Sequence, residues 1–211
     1  MGDLDRADKW RLRRRFLESR RALEAPERER TGRALRDTLW AQPWISAPGT
    51  VACYWSVGEE PDTHRLVTAL RKRGVYVLLP VFLPGGDLDW AAYEGPDSLE
   101  EARYGLLEPI GHRYGVDAPA RVDLVVCPAL AVDGRGVRLG RGAGCYDRAL
   151  SYKGPHTPVV VPLHEGELVE ELPAEEHDLP VDAVVTPAGL RVFDPGSPVW
   201  PTSPVPGGLR D

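Results

Sequence analysis

The chain has 211 residues, 42% of them hydrophobic and 27% charged, with a formal net charge of −6; this is the composition of one globular domain, not of a disordered chain. Gly (22) and Pro (21) are abundant against a usual combined share near ~12%, so many tight turns between short elements are expected. No run approaches the roughly 20 apolar residues that span a bilayer. The N-terminal MGDLDRADKWRLRRRF lacks the apolar core of a secretory signal, and Cys53, Cys127 and Cys145 form no C-x-x-C pair, which argues against a disulfide framework or zinc site and for a reducing cytoplasm.

Charge is uneven along the chain. Residues 1–36 carry a net +5 and the remainder −11. Such an arm suits a polyanionic ligand, or is simply a solvated helix face. In chain order, Asp5 to Leu23 has a loose apolar stripe (Leu12, Phe16, Leu23) and reads as a helix. A second helix is expected from Pro26, a good first-turn residue, to Leu39 or Trp40. Thr50–Tyr54 is a short strand. Thr63–Arg73 is a helix with Gly74 at its C-terminal cap, and Val75–Leu79 is a strand apolar enough to be buried on both faces. Strands are expected at Leu88–Tyr93, Asp123–Cys127, Thr157–Val161 and Ala183–Thr186. A short helix should start near Gly144. This alternation predicts an α/β sandwich around a mostly parallel sheet, with basic N-terminal helices. Residues 1–193 form the expected domain, and 194–211, with five prolines, a flexible tail.

Four segments carry residue types suited to chemistry. In Asp123–Leu150 (DLVVCPALAVDGRGVRLGRGAGCYDRAL), a buried strand leads into a glycine-rich loop. Glycines before a helix start let backbone N–H groups approach an anion. Arg138 and Arg141 add forked donors, and Asp147 is placed to hold Mg²⁺ against phosphate oxygens. The segment is neither a Walker loop nor a Rossmann fingerprint. In YWSVGEEPDT (54–63), Trp55 is suited to stack on a planar ring and Glu60 to accept its N–H groups, the alternative being a core-edge Trp and a helix-start acid. In KWRLR, Lys9 and Arg13 are i,i+4 neighbours able to clamp a polyphosphate, or part of a solvated stripe. In EHDLPVD, His177 and Asp178 offer a second metal ligand or a structural pair.

Taken in order, these segments resemble the 5-formyltetrahydrofolate cyclo-ligase family. The resemblance runs from about Lys9 to Thr186 and rests on RLGRGAGCYD (138–147), KWRLR, SVGEEPDT (56–63), YGLLEP (104–109) and HDLPVD (177–182). It implies a three-layer α/β sandwich and ATP- and Mg²⁺-dependent conversion of 5-formyltetrahydrofolate to 5,10-methenyltetrahydrofolate. By the same resemblance Lys9, Trp10, Arg11, Leu12 and Arg13 would surround ATP together with Arg138, Leu139, Gly140, Arg141, Gly142, Ala143, Gly144, Cys145 and Tyr146. Trp55 and Glu60 would contact the folate, and Arg141–Cys145 would lie between the two substrates. Asp147 and Asp178 would hold Mg²⁺, and Arg138, Arg141 and Asp147 would serve the reaction itself. Two positions depart from the pattern: Cys145 stands where the family commonly has Tyr, and Ala143 where it often has Gly or Lys. A relative acting on another folate-like compound, or a binding protein without activity, is the alternative. The expectation is a monomer with no nucleic-acid or membrane partner; the acidic body and the single aromatic pair of the arm, Trp10 and Phe16, speak against RNA.

Overall fold

The computed structural model describes residues 2–42, 49–175, 178–197 and 200. Two helices open the chain, α1 (Gly2–Ala22) and α2 (Ala25–Trp40). Pro26 lies in the first turn of α2, and Glu24 and Glu27 close a reciprocal capping box at its start. Then come β1 (Thr50–Ala52), α3 (His64–Lys72), β2 (Tyr76–Phe82) and β3 (Leu88–Ala92). A small antiparallel pair, β4 (Leu99–Glu101) and β5 (Leu107–Pro109), precedes β6 (Leu124–Val126). β7 (Ala131–Asp133) and β8 (Arg138–Leu139) form a hairpin ahead of α4 (Cys145–Ser151). β9 (Val159–Pro162), β10 (Leu168–Val169), β11 (Ala183–Thr186) and β12 (Gly189–Val192) complete the chain.

The main sheet has seven strands in the order β12-β11-β9-β6-β1-β2-β3. Its five inner strands are parallel, and β12 and β3 close the edges antiparallel. Burial on both faces follows from the two-residue period of strands. Val51, Val77, Leu79, Leu124, Val126, Val160, Ala183 and Val185 face α2 and α3, meeting Leu35, Leu39, Leu66 and Leu70. The intervening Ala52, Leu78, Val125, Val159, Val161 and Val184 face α4, through Ala149 and Leu150. This is the three-layer sandwich that was expected. After β1 the chain crosses to β2 on one side, whereas β6, β9 and β11 add on the other. The order therefore reverses between β1 and β6, and the crevice beyond the carboxyl ends of those strands is where such sheets bind ligands.

α1 lies outside this sandwich, over the small sheet β10-β7-β8. Phe16, flanked by Leu12 and Leu17, packs on Leu130, Leu139 and Leu172. Arg20 is buried with Glu167, its Nε and Nη2 donating at 2.6 and 2.9 Å, and Nη2 also reaches the Ala129 carbonyl at 2.6 Å. The basic arm is thus divided: Lys9 and Arg20 are buried, while Arg11, Arg14, Arg15 and Arg21 face solvent. No helix among the described residues is long and apolar enough to cross a membrane.

Two expectations change. The stretch from Pro128 to Gly144 is not one continuous loop, because Asp133 folds it into the β7–β8 hairpin. Its Oδ1 accepts from the backbone N–H of Arg135 and Val137 at 2.8 and 3.0 Å, closing the Asp-Gly turn. Arg138 and Leu139 therefore sit on a buried strand. The pair β4–β5 and the edge strand β12, which pairs with the expected strand β11, were not anticipated, since such short segments show too little alternation to stand out. Within the expected tail, Asp194 and Ser197 close a turn and Trp200 packs against the core under α2 and α3; residues 198–199 and 201–211 lie outside the described residues.

Candidate active site

A cleft of about 340 Å³ opens at the β1/β6 switch point. Its walls come from every segment singled out in the sequence: Lys9 and Arg13 of α1, Trp55 and Glu60 after β1, the run Arg138–Asp147, and Asp178. Ion pairs brace these walls. Lys9 Nζ donates to Asp178 Oδ2 at 2.8 Å and lies 3.5 Å from Glu175. Arg141 meets Glu60 at 3.0 Å, joining the glycine-rich loop to the β1–α3 connection. Arg138 pairs with Asp147. Buried or half-buried cations need such counter-charges. Among the described residues no carboxylate lies within ion-pairing distance of Arg13, whose Nε donates to the Gly140 carbonyl at 3.0 Å.

The loop glycines make room for these guanidinium groups. A Cβ on Gly140 would come within 3.0 Å of Arg138 Nη1, and one on Gly142 within 3.3 Å of Arg13 Cζ, at a backbone φ of +106°. α4 has seven residues, so its dipole is short, and the charge of the cleft comes from side chains: Lys9, Arg13, Arg138 and Arg141 against Glu60, Glu108, Asp147, Glu175 and Asp178. Of the three buried donors without a partner among the described residues, two belong to residues of the cleft lining, Arg138 Nε and the Tyr146 hydroxyl; the third is Trp90 Nε1. Burial pushes the Tyr146 phenol well above its ordinary range, so it keeps its proton and donates at neutral pH.

The other wall is bonded to itself. Glu60 Oε2 accepts from the Val57 backbone N–H at 3.1 Å, and Glu60 N donates to the Val57 carbonyl at 3.2 Å. Thr63 Oγ1 donates to the Tyr54 carbonyl at 2.6 Å and accepts from Ser56 N at 3.0 Å. One face of Trp55 stacks on His64 at 3.9 Å between centroids, and Tyr93 tilts against it at 5.2 Å. Of the KWRLR segment, only Lys9 and Arg13 reach the cleft. Trp10 is 58% exposed beneath the Arg14 guanidinium, Arg11 pairs with Asp8, and Leu12 joins the contact beneath α1. His177 lies outside the described residues.

Sequence reasoning gave no role to Pro80, Phe82, Leu106, Leu107 and Glu108, which line the mouth. Phe82 ends an apolar strand half-exposed, and its N–H donates to Glu108 Oε1 at 3.1 Å. The YGLLEP stretch was the available signal, but its approach to β2 is a long-range contact. Among the described residues no three His, Cys, Asp or Glu side chains converge into a metal cage. Asp147 nevertheless fits Mg²⁺, which commonly takes one or two protein carboxylates and completes its shell with substrate phosphates and water; its side chain is about a third exposed on the cleft wall.

Fold and site together define a doubly wound α/β protein with a cleft at its switch point lined by paired cations and carboxylates. The model of the 5-formyltetrahydrofolate cyclo-ligase family matches residues 5–187, and the chain belongs to that family. It is 37% identical over 187 residues to the 5-formyltetrahydrofolate cyclo-ligase of Mycolicibacterium smegmatis, covering 85% of this chain and 93% of that one. Against the Escherichia coli K12 cyclo-ligase the identity is 36% over 172 residues, 80% of this chain and 94% of the relative. The NMR structure of Aquifex aeolicus 5,10-methenyltetrahydrofolate synthetase shares the fold with a TM-score of 0.78 at 29% identity, covering 90% of this chain and 94% of that one.

Proposed function

We propose that the protein converts 5-formyltetrahydrofolate to 5,10-methenyltetrahydrofolate at the expense of ATP, releasing ADP and phosphate. The observation that carries this reading is the convergence of all the family-like segments on one cleft. A formamide carbon is a poor electrophile and its oxygen a poor leaving group. In the proposed sequence the formyl oxygen attacks the γ-phosphorus and ADP departs. N10 then attacks the activated carbon and loses its proton. The C–O bond breaks, and the formyl oxygen leaves in the phosphate. No protein nucleophile is required, so positioning and charge stabilisation supply the catalysis.

Arg13, Lys9, Arg138 and Arg141 would receive the phosphates, with Arg138 and Arg141 offsetting charge on the transferred group. The orphaned Arg138 Nε and Tyr146 hydroxyl supply donors already stripped of water. Trp55 and Glu60 would hold the folate ring. Asp147 and Asp178 would hold Mg²⁺, which when bound neutralises phosphate charge. Because Glu60 and Asp147 hold Arg141 and Arg138 in ion pairs, substrate phosphates would exchange with those carboxylates, freeing Asp147 for the metal and Glu60 for the ring. The proposal includes a monomer in the cytoplasm; the three cysteines are free and buried, which suits a reducing compartment.

The test is a spectrophotometric assay with purified protein, 5-formyltetrahydrofolate and Mg-ATP, following the near-ultraviolet band of the methenyl product. Product that needs both ATP and metal supports the reading. ATP binding without product would replace it with a relative acting on another substrate, or a binding protein.

A further inference from the structure

One layer behind the cleft, His164 follows β9 and is 2% exposed. Its Nε2 lies 3.0 Å from the Glu59 carbonyl oxygen, and its Nδ1 lies 3.0 Å from Thr31 Oγ1 on α2. A carbonyl only accepts, so Nε2 carries a proton and donates. In the neutral ring Nδ1 is then an acceptor facing the Thr31 hydroxyl, which also lies 3.3 Å from the Glu27 carbonyl oxygen. Burial holds the imidazole below its ordinary value, in keeping with that tautomer. The His164 backbone N–H donates to Glu167 Oε2 at 2.8 Å, and Glu167 is itself held by Arg20 of α1. The ring is therefore tied to α2, and the backbone of the same residue, through Glu167, to α1.

The carbonyl it grips belongs to the Glu59–Glu60 peptide. The other side of that same peptide, Glu60 N–H, donates to Val57 O at 3.2 Å. The plane immediately preceding Glu60 is thus pinned at both its oxygen and its nitrogen. The side chain it launches returns one oxygen to Val57 N and sends the other to Arg141 in the cleft. We infer that His164 is a positioning residue: by fixing the Glu59–Glu60 peptide it aims the Glu60 carboxylate at the planar ring of the folate substrate. The substrate part of this inference rests on the reading of Glu60 given under the proposed function.

Two variants of the full chain separate this role from plain packing. His164→Gln places its amide nitrogen near the Nε2 position and keeps a donor for Glu59 O. His164→Asn places it near Nδ1, meets Thr31 and leaves Glu59 O without its donor. The Asn variant should raise the KM for 5-formyltetrahydrofolate about tenfold, the size of one lost buried hydrogen bond, with the ATP KM unchanged; the Gln variant should stay near wild type. Hydrogen exchange across residues 57–62 should quicken in the Asn variant only. A parallel rise in both KM values, an unchanged folate KM, or unchanged exchange in the turn would overturn the inference. Glu60→Gln measured alongside tells the two readings apart. If it leaves the folate KM unchanged while the turn still loosens in His164→Asn, the Glu60 assignment falls and the positioning of the turn stands. Should the Asn variant fail to fold, His164→Gln decides, with wild-type protection of the turn expected and its loss overturning the idea.

Discussion

The two walls of the cleft solve different physical problems. On the 138–147 side, Arg138 and Arg141 are held against Asp147 and Glu60, and glycines bring backbone close to the guanidinium groups. On the 54–63 side, hydroxyl, carboxylate and peptide groups bond to one another along the chain. The first wall stores charge in pairs that, under the proposed function, an arriving polyanion would exchange. The second is held in shape by its own hydrogen bonds, which under the proposed function would suit a flat ring. Charge removal should therefore damage the first wall most, and loss of a local hydrogen bond the second.

The largest expected effect is at Arg138. Arg138→Ala removes a buried cation and strands Asp147, so kcat/KM for ATP should fall on the order of a hundredfold, as charge-assisted bonds to buried groups imply. Wild-type ATP kinetics would break the assignment of this wall. Asp147→Asn should lower activity about tenfold, from loss of a charge-assisted contact, and displace the Mg²⁺ titration of the rate to higher concentration. A titration superimposable on wild type would remove Asp147 from the metal.

The cysteines sharpen the contrast at smaller scale. Burial pushes the Cys127 thiol up to about 11 and raises Cys53 further, so both should alkylate slowly at pH 8. Cys145 lines the cleft and should react several-fold faster with iodoacetamide, with ATP protecting it. Equal slow labelling of all three would rule this out. The smallest effect is on stability. His164 titrates below 6.5 in the folded chain because of burial, so between that lower value and pH 6.5 the unfolded chain binds more protons. Folding stability from this group is complete above pH 6.5 and declines as pH falls through the folded value. The Tm of wild type should drop between pH 7 and 5, and His164→Gln should flatten that drop.

Much of the site was legible because its residues cluster in short runs. RLGRGAGCYD places glycines, cations and an acid within ten positions, and all of them reach the cleft. KWRLR was only half legible: which of five neighbours face inward depends on how α1 rolls over Leu130, Leu139 and Leu172, contacts more than a hundred positions away. The mouth residues Phe82 and Leu107 escaped notice for the same reason.

The sequence by itself determined the alternation of strands and helices, the parallel core and the chemistry of the cleft, because hydrophobic period, turn residues and charge type are local properties. Only the tertiary structure decided which charges meet. Lys9 finds Asp178, Arg20 finds Glu167, and His164 finds Glu59. Each pair spans more than a hundred residues, and each is fixed by the strand order that places the ends of β1, β6 and β9 side by side. A buried charge needs a partner, but the identity of that partner is set by the topology of the sheet.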